Sequence, residues 1–265
     1  GRRRGCGVGA AHLCLGTSGV VVCAMRFAVV CNLFGARSWL YGVSCYLQSG
    51  TAFGRLGRRG TGKSVTLRHS VGLVHADRGR VFVENRDITA LHGRELAEVR
   101  TRMGFLFQNA ALFDSMSVGD NVAFPMRRHT RLSDGDIRER ARSKLAAVGL
   151  ETAFDKMPGD LSGGMKKRAG LARAMALDPP ILLVDEPSAG LDPITAQEID
   201  QLLVENKRGG TTLVVVTHNI PSARVIGDDF AVLHHGRMLV HGTLAGLEAR
   251  AEPRVQACMR SQGGG

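Results

Sequence analysis

The chain has 265 residues, 44% of them apolar, so it can bury one substantial core and sits near the upper size for a single domain. Its formal charge of +11 is unevenly spread: no Asp or Glu precedes Asp77, and about ten of the net positive charges fall in that first stretch. The remainder is nearly neutral, which argues against the folded stripe of Lys and Arg that a nucleic-acid surface needs.

The N-terminal stretch is the least regular. Cys6, Cys14, Cys23, Cys31 and Cys45 crowd into it, only Cys258 lies elsewhere, and no CxxC pair points to a zinc or redox motif. Reduced thiols are expected. Arg2-Arg3-Arg4 ahead of apolar residues up to Val30 has the outline of a secretory leader. Arg26 interrupts the run, however, and leaves it short of the roughly 20 apolar residues a membrane span requires. A cytosolic location is expected. Residues 1–24 are set apart as an unassigned extension, either a loose segment or sequence foreign to the native start.

Phe53-Gly54-Arg55-Leu56 stands at a strand position, with Gly and Arg where a buried parallel strand favours β-branched side chains. Either this strand is weakened or Arg55 escapes toward solvent. Next come Gly57, Arg58, Arg59, Gly60, Thr61, Gly62, Lys63 and Ser64, the pattern Gly, four residues, Gly-Lys-Ser. In such a loop the glycines turn backbone N–H groups onto phosphates, the lysine neutralises β and γ oxygens, and the serine hydroxyl reaches magnesium. A helix starting at Val65 would point its positive end at the same anion. The bland alternative is a glycine-rich turn. Arg59 stands where a small residue is usual, and either adds a phosphate contact or crowds the pocket.

Beyond Val65, strand and helix patterns alternate, which predicts an α/β fold with a largely parallel sheet. Strands are expected at 80–84, 104–108, 181–185 and 212–217, with a hairpin of 230–234 and 237–240 around Gly236. Helices are expected at 93–101, 134–148, 164–176 and 194–207, the second started by Ser133 with Asp136 three residues on. Only 263–265 reads as a loose end. The apolar strand ending in Asp185 delivers that acid to the sheet edge where α/β folds gather ligands. Asp185 can hold a metal through water, and the adjacent Glu186 is placed to polarise an attacking water. Two acids in a solvated turn is the alternative, and the phosphate loop upstream disfavours it.

Between the loop and these acids lies Leu161, Ser162, Gly163, Gly164 and Met165, which resembles the signature motif of ABC ATPases almost letter for letter. Gln108 is similar to that family's Q-loop glutamine, Gly190, Leu191 and Asp192 to its D-loop, and His218, after Val214-Val215-Val216-Thr217, to its switch histidine. The stretches 60–67, 79–83, 87–89, 106–116, 121–125, 161–178 and 252–255 resemble the ATPases of the Mla and Mce-associated lipid transporters. The likeness covers about 57–260, with weaker echoes back to Met25.

The resemblance implies a P-loop NTPase, an ABC-type nucleotide-binding domain at 25–250 with a RecA-like core, an antiparallel β portion and a helical subdomain at about 109–164, followed by a tail at 251–265. It implies ATP and Mg2+ as ligands: residues 57–65 at the nucleotide, with Ser64, Gln108 and Asp185 at the metal. Glu186, His218 and Gln108 would serve hydrolysis, and the signature would meet the nucleotide of a second copy. Phe34, followed by Gly35, would stack on adenine or else simply pack in the core. The implied partners are a second ATPase subunit, an integral membrane permease and a lipid-binding substrate protein, at the cytoplasmic face of the inner membrane, with phospholipid or related cargo and no nucleic acid. The rival readings are a soluble ABC ATPase acting on DNA or ribosomes, against which stands the lack of coiled-coil or zinc insertions, and a catalytically impaired relative.

Overall fold

The computed structural model describes residues 23–34, 37–56 and 63–260; within these, the side chains of 29, 32–34, 37–39, 41, 63 and 260 lie outside the description. The described strands divide between two sheets of different character. The first is antiparallel, in the order β2 (Arg37–Gln48), β1 (Cys23–Phe34), β4 (Arg78–Val83), β5 (Arg86–Asp87). Its strands alternate as a sheet with one solvated face should: Val43, Cys45 and Leu47 are buried, while Ser44, Tyr46 and Gln48 are exposed. Register shifts between Phe27 and Val30 and between Val30 and Asn32 break the two-residue period that would have revealed β1 in the sequence.

The second sheet runs β10 (Arg237–Gly242), β9 (Asp229–His234), β3 (Ala52–Leu56), β8 (Thr212–Thr217), β7 (Ile181–Asp185), β6 (Met103–Leu106). All neighbours are parallel except the β9–β10 hairpin. β8 is buried along its whole length and β7 up to Val184, as strands covered on both faces are. The helices observed at the expected places are α1 (Lys63–Ser70), α2 (Gly93–Thr101), α4 (Asp134–Ala146), α5 (Gly163–Ala174) and α6 (Pro193–Arg208). Ser133, Ser162 and Asp192 cap the last three, each side chain accepting a backbone N–H of the first turn. The expected ends of α4 and α5 run two residues too far.

Four helices were not anticipated: α3 (Val118–His129), α7 (Ile220–Ile226), α8 (Leu244–Glu248) and α9 (Pro253–Arg260). α3 carries Pro125 inside it, which reads as a break in sequence. The buried Asn121 fixes its start: Oδ1 accepts from the Phe113 N–H at 2.8 Å, and Nδ2 donates to the carbonyls of Phe113, Met116 and Ser117. α9 falls in the stretch set aside as tail, yet Val255 and Cys258 are buried with Leu247, Ile220 and Phe230.

β3 is neither weakened nor open to solvent, which corrects both expectations. It lies between β8 and β9 with an unbroken register from Phe53 to Leu56. A β-carbon at Gly54 would lie 2.4 Å from the Phe230 ring, and one at Gly227 2.2 Å from it, so one phenyl occupies the space of two side chains. Arg55 is 1% exposed. Its guanidinium carbon lies 4.5 Å from the centroid of Phe27 and 5.9 Å from that of Phe53, and Nη2 donates to Cys45 Sγ at 3.4 Å. Burial pushes the Cys45 thiol pKa up against the opposing pull of this arginine. Nη1 is buried with no hydrogen-bond partner, and stacking recovers only part of what desolvating a cation costs. Arg55→Met is expected to raise the unfolding free energy by about 2 kcal/mol in urea titrations; a loss of similar size would show that the charge is compensated.

Candidate functional site

Register places the functional residues. Leu56, the last residue of β3, pairs with Thr217 of β8, and Val216 pairs with Asp185 of β7. Because the three strands are parallel, the loop after Leu56, the Thr217–His218 junction and the Asp185–Glu186 pair all open at one carboxyl edge. α1 begins there at Lys63. Gly57, Arg58, Arg59, Gly60, Thr61 and Gly62 lie outside the described residues, as do the side chains of Lys63 and Phe34.

Two side-chain contacts knit the edge together. Ser64 Oγ donates to Asp185 Oδ1 at 3.1 Å, and Val65 packs half-buried behind it. Glu186 Oε2 lies 2.6 Å from His218 Nδ1 and also accepts the His218 backbone N–H at 3.2 Å. A carboxylate only accepts, so Nδ1 carries the hydrogen and Nε2 is the nitrogen left for other chemistry. Glu186 itself has φ of 50°, a left-handed backbone that costs a non-glycine residue about 1 kcal/mol or more. Three hydrogen bonds hold it: its N–H donates to Val216 O at 2.8 Å, and its carbonyl accepts from Ala189 N at 3.2 Å and from Lys167 Nζ at 3.0 Å.

The other anticipated residues fall into two groups. Gln108 is exposed two residues past β6, whose last residue pairs with Val184, so it stands at the same edge. Ser162 and Gly163 are exposed at the start of α5, with Leu161 buried behind them and Met165 N–H donating to Ser162 Oγ at 3.2 Å. A β-carbon at Gly164 would lie 2.3 Å from Thr195 Cγ2, which requires glycine where α5 meets the first turn of α6. Gly190 has φ of 77°, Leu191 approaches the Gly163 position, and Asp192 Oδ1 accepts the N–H groups of Ile194 and Thr195. Hydrogen bonds from Thr195 hold the Asp192 carboxyl pKa below the usual range. The signature and D-loop residues thus pack on each other, while Ser64, Asp185, Glu186 and His218 form the sheet-edge group.

Sequence reasoning missed Lys167, Ser188, Asp200 and Ser222. Ser222 Oγ lies 3.3 Å from Ser188 Oγ, Asn219 Nδ2 donates to Ser188 Oγ at 3.4 Å, and the Ser222 hydroxyl donates to the carboxyl of Asp200 on α6 and so accepts from Ser188. Periodicity alone would have given Asp200 away: Ala196, Ile199, Leu203 and Val204 mark the buried face of α6, and Asp200 lies on it.

The chain matches the ABC transporter family over residues 40–189. It is 42% identical to the probable ribonucleotide transport ATP-binding protein mkl of Mycobacterium tuberculosis (strain ATCC 25618 / H37Rv) over 84% of this chain, and spans 62% of that relative's length. It is 40% identical to the intermembrane phospholipid transport system ATP-binding protein MlaF of Escherichia coli (strain K12), over 84% of this chain and 83% of that protein. Among solved structures, the dimeric ATP-binding cassette MJ0796 in a post-hydrolysis state bound to ADP and Pi superposes with a TM-score of 0.78 at 32% identity, covering 83% of this chain and 98% of that one.

Asp200 gives the site's surroundings a pH dependence. Burial pushes its carboxyl pKa from 3.8 up to about 6, the Ser222 hydrogen bond offsetting part of the rise, and its Oδ1 is buried without a hydrogen-bond partner. The folded chain therefore binds a proton between about pH 4 and 6 that the unfolded chain does not hold. Asp200 lowers stability at neutral pH, and the loss, roughly 3 kcal/mol for about two pKa units, is recovered as pH falls through 6. Asp200→Asn is expected to be more stable than the parent at pH 7.5 and to gain less on going to pH 5; identical urea midpoints at both pH values would refute this.

Proposed function

We propose, from the premise that this chain belongs to the ABC transporter family, that it is an ATP-hydrolysing subunit which powers a membrane permease. The observation that carries this reading is the convergence of Ser64, Asp185, Glu186 and His218 on one carboxyl edge, directly after the Gly57 to Ser64 loop sequence. Nothing but oxygen donors is presented by Ser64 and Asp185, a set that suits Mg2+; bound there, the ion would offset charge on the phosphate oxygens.

The protein's own groups account for the rest of the reaction. The N-terminal end of α1 and the Lys63 charge hold the phosphates. Glu186 takes the proton of a water whose oxygen bonds to the γ-phosphorus as the bond to the β,γ-bridging oxygen breaks, giving ADP and phosphate. His218 holds Glu186 Oε2 through Nδ1–H, and would need a hydrogen on Nε2 as well to donate to a γ-phosphate oxygen. Catalysis of this kind is mostly positioning and charge neutralisation.

A homodimer completes the site in this reading. Ser162, Gly163 and Asp192 are exposed, and the neighbouring Ile194 is 73% exposed, an apolar surface at the place where a second copy's nucleotide would sit. For the permease, a cleft of about 340 Å3 beside Gln108 is lined by Phe105, Phe107, Phe113, Phe124 and Pro125, three of these phenylalanines being exposed. Among the described residues no helix is long and apolar enough to cross a membrane, so attachment to the cytoplasmic face of the inner membrane would run through such a contact. The two relatives name different cargo. We favour phospholipid or related hydrophobic molecules over ribonucleotide, because the stretches 106–116, 121–125 and 161–178 resemble those of lipid-transport ATPases, a likeness in keeping with the phospholipid-system relative. A lipid-binding substrate protein would belong to the same system.

Glu186→Gln is expected to lower the hydrolysis rate at least about a hundredfold while retaining ATP, so that dimers accumulate in size-exclusion chromatography, and Lys63→Ala to abolish turnover. Undiminished hydrolysis in the glutamine variant would remove Glu186 as the base. Affinity purification from membranes should bring down a polytopic protein with bound phospholipid by mass spectrometry, and Phe113→Asp should release it; recovery of bound nucleotide cargo instead of lipid would reverse the cargo assignment.

A further inference from the structure

Lys167 is the fifth residue of α5, the helix that Ser162 caps. A lysine at this depth is unusual: it is 5% exposed, whereas its neighbours Lys166 and Arg168 are only half-buried. Burial pushes the ammonium pKa down, and the nearby Asp185 and Glu186 carboxylates pull it back up. Burying a cation is costly unless a matched acceptor meets it. The acceptor here is a single atom, the Glu186 carbonyl at 3.0 Å. That carbonyl belongs to the one acid of the pair that has a left-handed backbone and faces His218.

We propose that Lys167 is a positioning residue, which fixes the backbone of Glu186 and thereby aims its carboxylate, and which ties the helix opened by Ser162 to the hydrolytic centre of the same chain. The inference rests on the reading of Glu186 as the base. Lys167 touches neither substrate nor metal; it acts through the Glu186 peptide. Since α5 also presents Ser162 and Gly163 at its free end, any shift of that helix on meeting a second copy reaches Glu186 through one side chain.

The test uses the full chain with Lys167→Met, Lys167→Arg, and each combined with Glu186→Gln. Lys167→Met should lower kcat at least about tenfold with KM for Mg-ATP within about threefold, because misplacing a group that orients water affects the reacting state alone. Lys167→Arg, which still donates to the carbonyl, should recover most of the rate. In the nucleotide-free chain, hydrogen exchange at 185–191 should quicken in the methionine variant and not in the arginine one. With Glu186→Gln already present, Lys167→Met should remove nothing further from the residual rate. If the methionine variant does not fold, Lys167→Ala, which likewise has no side-chain donor, takes its place with the same expectations.

The proposal is overturned by a methionine variant with parental kcat and exchange, by parallel losses in kcat and nucleotide affinity that arginine does not rescue, or by losses that multiply in the double variant. Parental hydrolysis in Glu186→Gln alone would instead bring down the assignment of the base, and this inference with it. A large effect of Glu186→Gln beside a silent Lys167→Met rejects only the inference.

Discussion

Parallel pairing of β3, β8 and β7 is the constraint from which the rest of the architecture follows. Each strand ends at the same edge, so a backbone ladder decides which side chains can meet. β8 stands between the strand that leads into the glycine loop and the strand that ends in Asp185. Thr217 and His218 thereby come to stand between the two at the same edge. The Glu186 N–H bond to Val216 O extends the ladder past the end of β7 and turns the chain into its left-handed step. A slip of one residue in that ladder would exchange the directions of Asp185 and Glu186, separating the first from Ser64 and the second from His218.

Around this edge the chain spends its polar residues sparingly. Asn121 meets four backbone groups of the segment before α3, and Lys167 meets one carbonyl of the Glu186 turn. Ser222 links α7 to Ser188 just beyond that turn. The first two sit where an irregular backbone leaves donors or acceptors that no helix or strand satisfies. The apolar clusters supply cohesion, and these few side chains decide which irregular conformation the loops adopt.

Much of the parallel sheet was legible because β7 and β8 are apolar nearly throughout and two of the helices open on capping side chains at Ser133 and Ser162. The Gly57 to Ser64 pattern, the 161–165 stretch and the paired acids stood out locally, since each is contiguous in sequence. What stayed hidden has a physical reason in every case. The bulged register of β1 erases its alternation, Pro125 mimics a helix end, and the helix at 253–260 has only eight residues, too few for the inward turn of Val255 and Cys258 to show as a period. Arg55 misled because propensity weighs a residue alone; stacking on Phe27 and Phe53 is a tertiary contact that no window of sequence contains. Lys167 was passed over for the same reason, since nothing in the run Lys166-Lys167-Arg168 marks which of the three is buried.

The single ring of Phe230, filling the space beside both Gly54 and Gly227, has a consequence for how this sequence can change over time. Neither glycine can gain a side chain while the phenyl remains, and a smaller residue at 230 opens a void until one of them does. The three positions form a lock whose tumblers must move in order: the ring shrinks first, at a temporary loss of packing, and only then can the strand bearing Arg55 acquire the branched side chain its neighbours have. A lineage that keeps the ring should therefore keep both glycines, and the triplet should drift as one unit even though Gly54 lies on a stretch of chain far from Gly227 and Phe230.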